Sequence, residues 1–279
     1  MSRLLPLPAI AASLIGVTLS AQTPDAAEIM RRVSENVGRA EAARAAWVYD
    51  QDVFVRLKRA NGKLAREESR RYTVAPTEKG AERKLVKVDG KILEGKKEVD
   101  YSEAGYRQKD ADIDGAIVDS LAREVMWRED SLGLMGYWDP LESKNLDKYA
   151  YKLEGEERYQ DYDVYRITFR EKEDEWEGEA LIERNEFQPV LVTCAWTGKV
   201  PTAVTIVLGT NVRQIGAKIT YKRFDKDVWF PVRTGGELKL RVLFLYARTI
   251  AFSAANRDFR KTDVQSKIEF GDDVTEPRP

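Results

Sequence analysis

Histidine is absent from this chain of 279 residues. Its absence excludes the Ser-His-Asp and Cys-His catalytic arrangements, zinc sites built on imidazole, and a histidine pH switch. Cysteine is nearly absent as well: Cys194 is the only one, so no disulfide can form within the chain. It lies in the apolar run VLVTCAW, which predicts a buried and unreactive thiol.

An excess of charge of either sign is also missing. The chain has 46 Lys and Arg against 47 Asp and Glu, interleaved along most of its length, and its net charge is −1. A nucleic-acid groove needs clustered positive charge, so a nucleic-acid partner is not predicted. Hydrophobic residues make up 43% of the chain, which is enough for a packed core.

Long apolar runs are absent after the N-terminus. Residues 1–21 combine a basic start at Arg3, an apolar stretch from Leu4 to Leu19 and small residues up to Ala21, the pattern of a cleaved signal peptide. The alternative is an uncleaved membrane anchor, which is disfavoured because the stretch is short and contains two prolines. We therefore expect an exported, periplasmic protein without stable membrane insertion.

Helical and strand-like patterns follow one another after the signal peptide. Apolar residues at helical spacing predict a first helix that is capped by Thr23 and has Pro24 in its first turn. From Trp47 the period changes to two and indicates strands. Hairpin turns are predicted at Asn61–Gly62 and at Asp89–Gly90.

The second half of the chain is predicted to be mostly strands. A second helix is expected over 112–129, and strands follow from Tyr149, including TAVTIVLG, VWFPV, a long segment over 237–253 and DVQSKIEF. The fold class is α+β and mainly antiparallel β: a curled, half-open β-barrel with helices packed against or capping its concave face. One domain is predicted over 22–279.

The stretch RVLFLYARTIAFS, residues 241–253, is apolar on both faces. Antiparallel strands with one wet face alternate apolar and polar residues, so this strand is predicted to be covered on both sides or to line a cavity. The hypothesis is an apolar ligand cavity, and the alternative is an ordinary core. The cavity candidates are Trp47, Val53, Val55, Trp196, Phe244, Tyr246, Ile250 and Phe252.

Arg248 interrupts the apolar face of this stretch and therefore needs a partner. Two partners stay open: an acidic side chain in a structural ion pair, or the polar headgroup of a bound ligand. The first helix and the apolar loop SLGLMGYWDP are predicted to form a lid over the cavity. The lid candidates are Ile29, Val33, Leu134, Met135 and Trp138.

Three features resemble one protein family. The order of elements, a strand ending in VDGK (Val88 to Lys91), and the segments WEGEALIERNEFQPV and VWFPV resemble the LolA/LolB-type periplasmic lipoprotein carriers and the lipoprotein-sorting proteins grouped with them. The resemblance spans most of the chain after the signal peptide. It implies a half-open β-barrel capped by helices, with an apolar cavity that binds acyl chains. The carriers have a basic residue before the proline that follows the second strand, whereas Ala75 precedes Pro76 here.

Two acidic motifs indicate other chemistry. The motif DADIDG, from Asp110 to Gly115, matches the first half of a calcium-binding EF-hand loop, but Leu121 stands where a bidentate Glu is needed. Helix capping is therefore preferred, and no metal is predicted. Glu177 and Glu179 share one strand face, as the two carboxylates of a glycan hydrolase would.

The sequence thus predicts an exported carrier or sensor that is not an enzyme and needs no cofactor. Its ligand would be the acyl chain of a lipid or lipoprotein, held in an apolar half-barrel, and an envelope protein is a further candidate partner. Two alternatives stay open: a carboxylate-based glycan hydrolase, and a cell-envelope interaction module whose barrel is filled by its own side chains.

Overall fold

The computed structural model describes residues 24–77, 80–108, 112–122, 139–173, 176–198, 211–225, 228–242 and 246–262. The helices in these ranges are α1 (Ala26–Arg44), α2 (Ile113–Ser120) and a 3₁₀ helix (Ser143–Lys148). The strands are β1 (Trp47–Arg59), β2 (Leu64–Thr77), β3 (Gly80–Glu94), β4 (Lys97–Tyr101), β5 (Tyr149–Tyr159), β6 (Tyr162–Glu171), β7 (Trp176–Glu183), β8 (Pro189–Trp196), β9 (Asn211–Asp225), β10 (Val228–Val242) and β11 (Tyr246–Lys261).

All eleven strands belong to one open sheet. Their order is β4-β3-β2-β1-β11-β10-β9-β8-β7-β6-β5, and neighbouring strands pair antiparallel. Strands β1–β4 form one meander and β5–β11 form another, and the pairing of β1 with β11 joins the two. The predicted class, α+β with a mainly antiparallel, curled and open sheet, is confirmed.

Helix α1 begins after Asp25, whose side chain accepts a hydrogen bond from the backbone N–H of Glu28 at 2.8 Å. A carboxylate here also suits the positive end of the helix dipole. The predicted start is therefore wrong: Asp25 caps the helix in place of Thr23, and Pro24 precedes the first turn. The helix continues through Gly38 to Arg44, further than the apolar pattern indicated.

One row of paired residues crosses the whole sheet. From β5 to β4 the row is Tyr151, Phe169, Gly178, Cys194, Ala217, Gly236, Phe252, Val55, Glu68, Gly90 and Tyr101. Directly paired residues of antiparallel strands point to the same face. Both helices pack on the face to which these side chains point, here called the inner face.

Three glycines of this row lie beside aromatic rings of a neighbouring strand. The pairs are Gly178 with Phe169, Gly236 with Phe252, and Gly90 with Tyr101. A Cβ atom would lie 2.5 Å from the ring in the first pair and 2.8 Å from it in the second, and it would overlap the ring in the third. Only glycine admits a ring this close to the strand backbone.

These contacts explain a wrong turn prediction. The Asn61–Gly62 turn is confirmed, and Gly62 has a φ of +79° there. The Asp89–Gly90 turn is wrong, because β3 continues through both residues and the chain turns at Gly95, where φ is +61°. Gly90 makes room for the Tyr101 ring instead of reversing the chain.

A predicted strand break near Gly235 and Gly236 is also wrong. The sequence predicts VWFPV and the segment over 237–253 as two strands, but β10 continues through both glycines to Val242. The single strand over 237–253 is wrong as well, because β11 begins at Tyr246 and pairs antiparallel with β10, with Val242 opposite Tyr246. A Cβ at Gly236 would meet the backbone carbonyl of Gly216 as well as the Phe252 ring, so close packing is the physical reason for glycine here. The predicted strands TAVTIVLG and DVQSKIEF lie outside the described residues.

Among the described residues, the inner face carries three separate apolar clusters, of which the smallest is formed by Val88, Ile92 and Tyr101 and the other two include residues of the helices. Helix α1 contributes Ile29, Met30 and Val33, each at most 1% exposed, to a cluster with strands β5 to β10. Cys194 lies in this cluster, which confirms the predicted buried thiol, and burial raises its pKa to about 12. Helix α2 contributes to the second cluster, over β1 and β11.

The signal peptide predicted over residues 1–21 lies outside the described residues. The single domain over 22–279 stays a prediction.

Candidate functional site

The second cluster forms an apolar surface across the seam of β1 and β11. Six side chains make up this surface, here called the seam surface: Val53, Val55, Leu57, Ile250, Phe252 and Ala254. They are between 0% and 6% exposed. The alternation of each strand brings them to the inner face, and the register places Val55 opposite Phe252 and Leu57 opposite Ile250. Leu238 and Leu240 of β10 extend the surface on one side and are partly buried.

The eight-residue helix α2 lies over the seam surface. Its residue Val118 is 1% exposed, and Leu121 and Ala122, which follow it directly, are 7% and 1% exposed. Asp112 caps the helix and accepts hydrogen bonds from the backbone N–H of Gly115 at 2.9 Å and of Gln108 at 3.0 Å. The predicted capping role of the DADIDG acids is confirmed for Asp112. An isolated helix of this length is unstable in water, so docking keeps α2 folded.

Three aspartates attach this helix to the sheet through arginines. Asp112 forms an ion pair with Arg66 of β2 at 3.1 Å. Asp119 contacts Arg70 of β2 and, at 2.7 Å, Arg107. Because these attachments are ionic, they depend on the aspartates remaining ionised.

The third aspartate, Asp114, contacts β11. Arg248 donates to both of its carboxylate oxygens, through Nε at 2.8 Å and Nη2 at 2.9 Å, and Tyr246 donates its hydroxyl to the same carboxylate. The Arg248 guanidinium also lies over the Tyr246 ring, 4.2 Å from its centroid. Of the two partners considered for Arg248, the described structure contains the ion pair.

Strand β2 brings a charged strip to the inner face beside the seam surface. Arg66, Glu68 and Arg70 alternate in step with Tyr72 and are only 1–3% exposed. In register, these three lie opposite Leu57, Val55 and Val53 of β1. The pairing therefore brings charged side chains directly beside the apolar seam surface.

The charged side chains of the strip contact one another and the tyrosines beside them. Glu68 accepts hydrogen bonds from Arg70 and from the Tyr101 hydroxyl, the latter at 2.5 Å. The guanidinium of Arg66 lies 5.0 Å from the ring centroid of Tyr101 and 5.7 Å from that of Tyr106. It donates to the Tyr106 carbonyl at 3.1 Å, and its Nε has no hydrogen-bond partner among the described residues.

The charges around α2 balance. Arg66, Arg70 and Arg107 face three carboxylates, those of Glu68, Asp112 and Asp119. Burial alone would raise the pKa of Asp119, but its hydrogen bonds with Arg70 and Arg107 hold that pKa below its usual value. Burial would also raise the pKa of Asp112, and the backbone N–H groups of Gln108 and Gly115 together with the Arg66 charge lower it. Both aspartates are therefore ionised at neutral pH.

The predicted cavity residues lie in different places. Four of them, Val53, Val55, Ile250 and Phe252, lie together in the seam surface, and Tyr246 lies at its edge in contact with α2. Trp47 instead packs edge-on against Phe230, with ring centroids 5.8 Å apart, and Trp196 packs against the α1 cluster. Phe244 lies outside the described residues.

The residues predicted to form the lid also lie in different places. Ile29 and Val33 are fully buried in the α1 cluster. Leu134, Met135 and Trp138 lie outside the described residues.

Sequence reasoning missed the charged strip and the position of α2 over the seam surface. The usable signal was the segment REESRRYTV, in which the charged residues Arg66, Glu68 and Arg70 alternate in phase with the apolar Tyr72 and Val74.

The two carboxylates of the hydrolase alternative are ion-paired on β7. Glu177 pairs with Arg170 at 2.6 Å, and Glu179 lies 3.7 Å from Arg166. Their side chains are 39% and 35% exposed. Arg166 also donates to both carboxylate oxygens of Glu157, at 2.8 and 2.6 Å, so Glu179 shares this arginine with a second glutamate. Among the described residues, neither α-helix combines the length and apolar character needed to cross a bilayer.

Comparisons with known proteins give distant structural likenesses. No protein-family model matches the chain, and no curated protein matches it in sequence. A LolA superfamily protein from Nitrosomonas europaea is similar in structure. It has 10% sequence identity and a TM-score of 0.32, and the match covers 87% of this chain and 96% of that one.

Two further solved structures are similar. A DUF1329 family protein from Desulfovibrio piger has 12% identity and a TM-score of 0.33, over 88% of this chain and 96% of that one. Lipovitellin, in a structure titled for its lipid–protein interactions, has 9% identity and a TM-score of 0.35 over 80% of this chain. The match spans 26% of the lipovitellin chain.

Proposed function

We propose that this protein is an exported carrier or sensor that holds an acyl chain of a lipid or lipoprotein on the seam surface, beneath α2. The observation that carries the proposal is the pairing of a wide apolar surface with a short cover that is attached by ion pairs. In the closed state, Val118 and the two residues after the helix occupy the surface. An acyl chain would replace them there when α2 moves away.

Helix α2 is a more suitable cover than α1. The 19-residue helix α1 inserts Ile29, Met30 and Val33 into the core of the larger meander, and removing it would expose that core. Helix α2 has only eight residues and is attached through Asp112, Asp114 and Asp119. When α2 moves away, its aspartates return to water, which recovers the desolvation cost of their carboxylates, whereas apolar side chains that move into water gain nothing in return.

Burial of the ligand would supply the driving force. Each methylene group that leaves water contributes about 0.8 kcal/mol, so an alkyl chain of about ten carbons offers several kcal/mol toward displacing α2. The proposed binding residues are Val53, Val55, Ile250 and Phe252, and Tyr246 and Arg248 attach α2 at the edge of the surface. The signal peptide predicted over 1–21 would export the chain to the periplasm, where envelope lipids are the ligands at hand.

The proposal is tested on the mature chain from residue 22, purified without detergent. Lipids are extracted and identified by mass spectrometry, and an environment-sensitive dye is displaced with alkyl ligands of 8 to 16 carbons. We expect co-purified lipid in stoichiometric amount, or saturable displacement that strengthens with chain length. A folded protein that gives neither result would rule the carrier function out and favour the filled-barrel interaction module.

A cross-link tests whether α2 is the cover. In a Cys194→Ala background, Asp114→Cys and Arg248→Cys are joined by a short bismaleimide, which fixes α2 to β11. We expect the cross-linked protein to lose dye displacement. The matched control is the same double-cysteine protein with each thiol blocked by N-ethylmaleimide, which should still bind. Equal binding by both preparations would mean that ligands do not enter beneath α2.

A further inference from the structure

We infer that the ligand of the seam surface is an anionic amphiphile, whose headgroup takes the places of Asp112 and Asp119 at Arg66 and Arg70. This inference rests on the function proposed above and deepens it by naming the chemistry of the ligand's polar end. The charged strip of β2 lies beside the seam surface, because Arg66 pairs with Leu57 and Arg70 with Val53 across neighbouring strands.

Removing α2 changes the charge of the strip. In the closed state, Asp112 and Asp119 of α2 neutralise two arginines that are 1–2% exposed. Without α2, Glu68 alone faces Arg66 and Arg70, and a net positive charge remains beside an apolar surface. A buried or half-buried guanidinium without a carboxylate is unfavourable by several kcal/mol, so the open state calls for another anion.

Arg66 is prepared to receive such an anion. The stacked rings of Tyr101 and Tyr106, whose centroids are 4.6 Å apart, fix its guanidinium, and the Tyr106 carbonyl accepts from Nη2. Its Nε has no hydrogen-bond partner among the described residues, although the side chain is 1% exposed. A planar guanidinium with a free donor binds a carboxylate or a phosphate through two parallel hydrogen bonds. The single 3.1 Å contact with Asp112 leaves this capacity unused.

Because the strip lies beside the seam surface, binding of the headgroup is linked to the displacement of α2. The headgroup competes with the aspartates of α2, while the alkyl tail competes with Val118 for the seam surface. Both parts of one ligand therefore displace the same helix. A neutral amphiphile replaces only the apolar contacts and leaves the arginines without an anion, so it binds more weakly.

Three ligands with the same twelve-carbon chain test the inference on the mature chain: dodecanoate, dodecyl phosphate and dodecanol. We expect both anions to displace the dye at concentrations at least tenfold lower than dodecanol, with a difference that shrinks as salt is added. The order of the two anions distinguishes a carboxylate headgroup from a phosphate one. Equal binding of all three would overturn the headgroup inference and leave the carrier function standing. Binding of none by the folded protein would remove both.

Two variants separate charge from loosening of the helix. Asp119→Asn keeps the shape of the side chain, loosens α2 and leaves Arg70 without its carboxylate on that helix. It should therefore strengthen binding of both anions at least threefold more than it strengthens binding of dodecanol. Val118→Ala loosens the apolar contact of α2 without freeing an arginine, so it should strengthen all three ligands alike. An Asp119→Asn variant that strengthens dodecanol as much as dodecanoate contradicts the inference.

A third variant locates the headgroup. Arg248 also faces α2 and could attract an anion once Asp114 has moved away. Arg248→Gln should leave the preference for dodecanoate over dodecanol within threefold of that of the unmodified protein. Loss of the preference in Arg248→Gln, together with its retention in Arg70→Gln, would place the headgroup at β11 and overturn the assignment to β2.

Discussion

The phenol ring of Tyr101 on β4 lies over Gly90 of β3, in the space that any Cβ atom at that position would need. The same ring has its hydroxyl on the carboxylate of Glu68 at 2.5 Å, and the Arg66 guanidinium lies against its face. The ring thus links the edge strand to the charged strip of β2. The absence of a side chain at Gly90 lets the tyrosine reach across a neighbouring strand.

Gly90→Ala should lower the free energy of unfolding by about 1–3 kcal/mol, because the added methyl overlaps the Tyr101 ring and the ring must move away from Glu68. Urea unfolding of both proteins measures the change. The matched control is Gly38→Ala in α1, where no atom lies within 4 Å of the new methyl. That substitution should raise the free energy by about 0.5–1 kcal/mol, since alanine suits a helix better. Unchanged stability of Gly90→Ala would contradict the close contact.

Asp114→Asn should loosen α2 selectively. The substitution removes a carboxylate that accepts two hydrogen bonds from Arg248 and one from Tyr246, and it leaves that arginine without its anion. We expect backbone amides of α2 to exchange with solvent about ten times faster, which corresponds to about 1.4 kcal/mol, while amides of α1 stay unchanged.

An outer-face ion pair provides the control for that experiment. Asp52 of β1 contacts Arg257 at 2.7 Å and Arg71 at 2.9 Å, and its side chain is 33% exposed. Solvated pairs of this kind contribute below about 1 kcal/mol, so Asp52→Asn should leave exchange in α2 unchanged. An equal effect of the two substitutions would show that Asp114 does not attach the helix.

Asp139 should make stability fall between pH 6 and pH 8. It is 6% exposed, and burial, helped by the charges of Glu142 and Glu41, raises its pKa to about 7. The folded pKa lies above the unfolded value of about 3.9, so the unfolded chain loses its proton first and stability decreases as pH rises through that window. We expect the free energy of unfolding to be about 1.4 kcal/mol lower at pH 8 than at pH 6.

Asp139→Asn should remove this pH dependence. The amide oxygen can still accept the hydrogen bond from the backbone N–H of Leu141, and the titrating group is gone. The chain has no histidine, so few other side chains change charge in this range. Urea unfolding of both proteins at pH 6 and pH 8 measures the change in the free energy of unfolding. The same decrease in the variant as in the unmodified protein would assign the effect to another group.

Acid should release α2 by the opposite dependence. The folded pKa values of Asp112 and Asp119 are lowered, so their contribution to stability is complete above the unfolded value of about 3.9 and is lost as pH falls below it. We expect amide protection in α2 to stay constant from pH 5 to pH 7 relative to α1, and to decrease below about pH 4. Protection that decreases between pH 7 and pH 5 would show that other groups attach the helix.

Local sequence patterns were sufficient to predict residues of the seam surface, but they were insufficient to predict that α2 lies over it. The period of two in β1 and β11 predicted that Val53 and Val55 share one face, and likewise Ile250 and Phe252. The same period in REESRRYTV placed Arg66 and Arg70 on the buried face of β2, but charged side chains are normally solvent-exposed. Their burial follows from aspartates that are some fifty residues later in the sequence, and no local pattern contains that contact.

Glycine caused the wrong predictions for a similar reason. Asp89–Gly90 has the composition of a hairpin turn, and Gly235–Gly236 has the composition of a strand break. In the structure, both lie inside strands because an aromatic ring from the next strand needs the space: Tyr101 at Gly90 and Phe252 at Gly236. The partner ring is identifiable only once the register of the strands is known.

The pairing of β1 with β11 sets an order in which the sheet can form. Strand β1 is the first of the eleven described strands and β11 is the last, and Val55 has no inner-face neighbour on that side until Phe252 is in place. Until then, the edge of β1 offers free backbone donors and acceptors next to an apolar surface. Contacts so distant in sequence form slowly, because a long loop must close first. A chain that emerges N-terminus first would therefore leave the β1 edge unpaired until β11 has emerged.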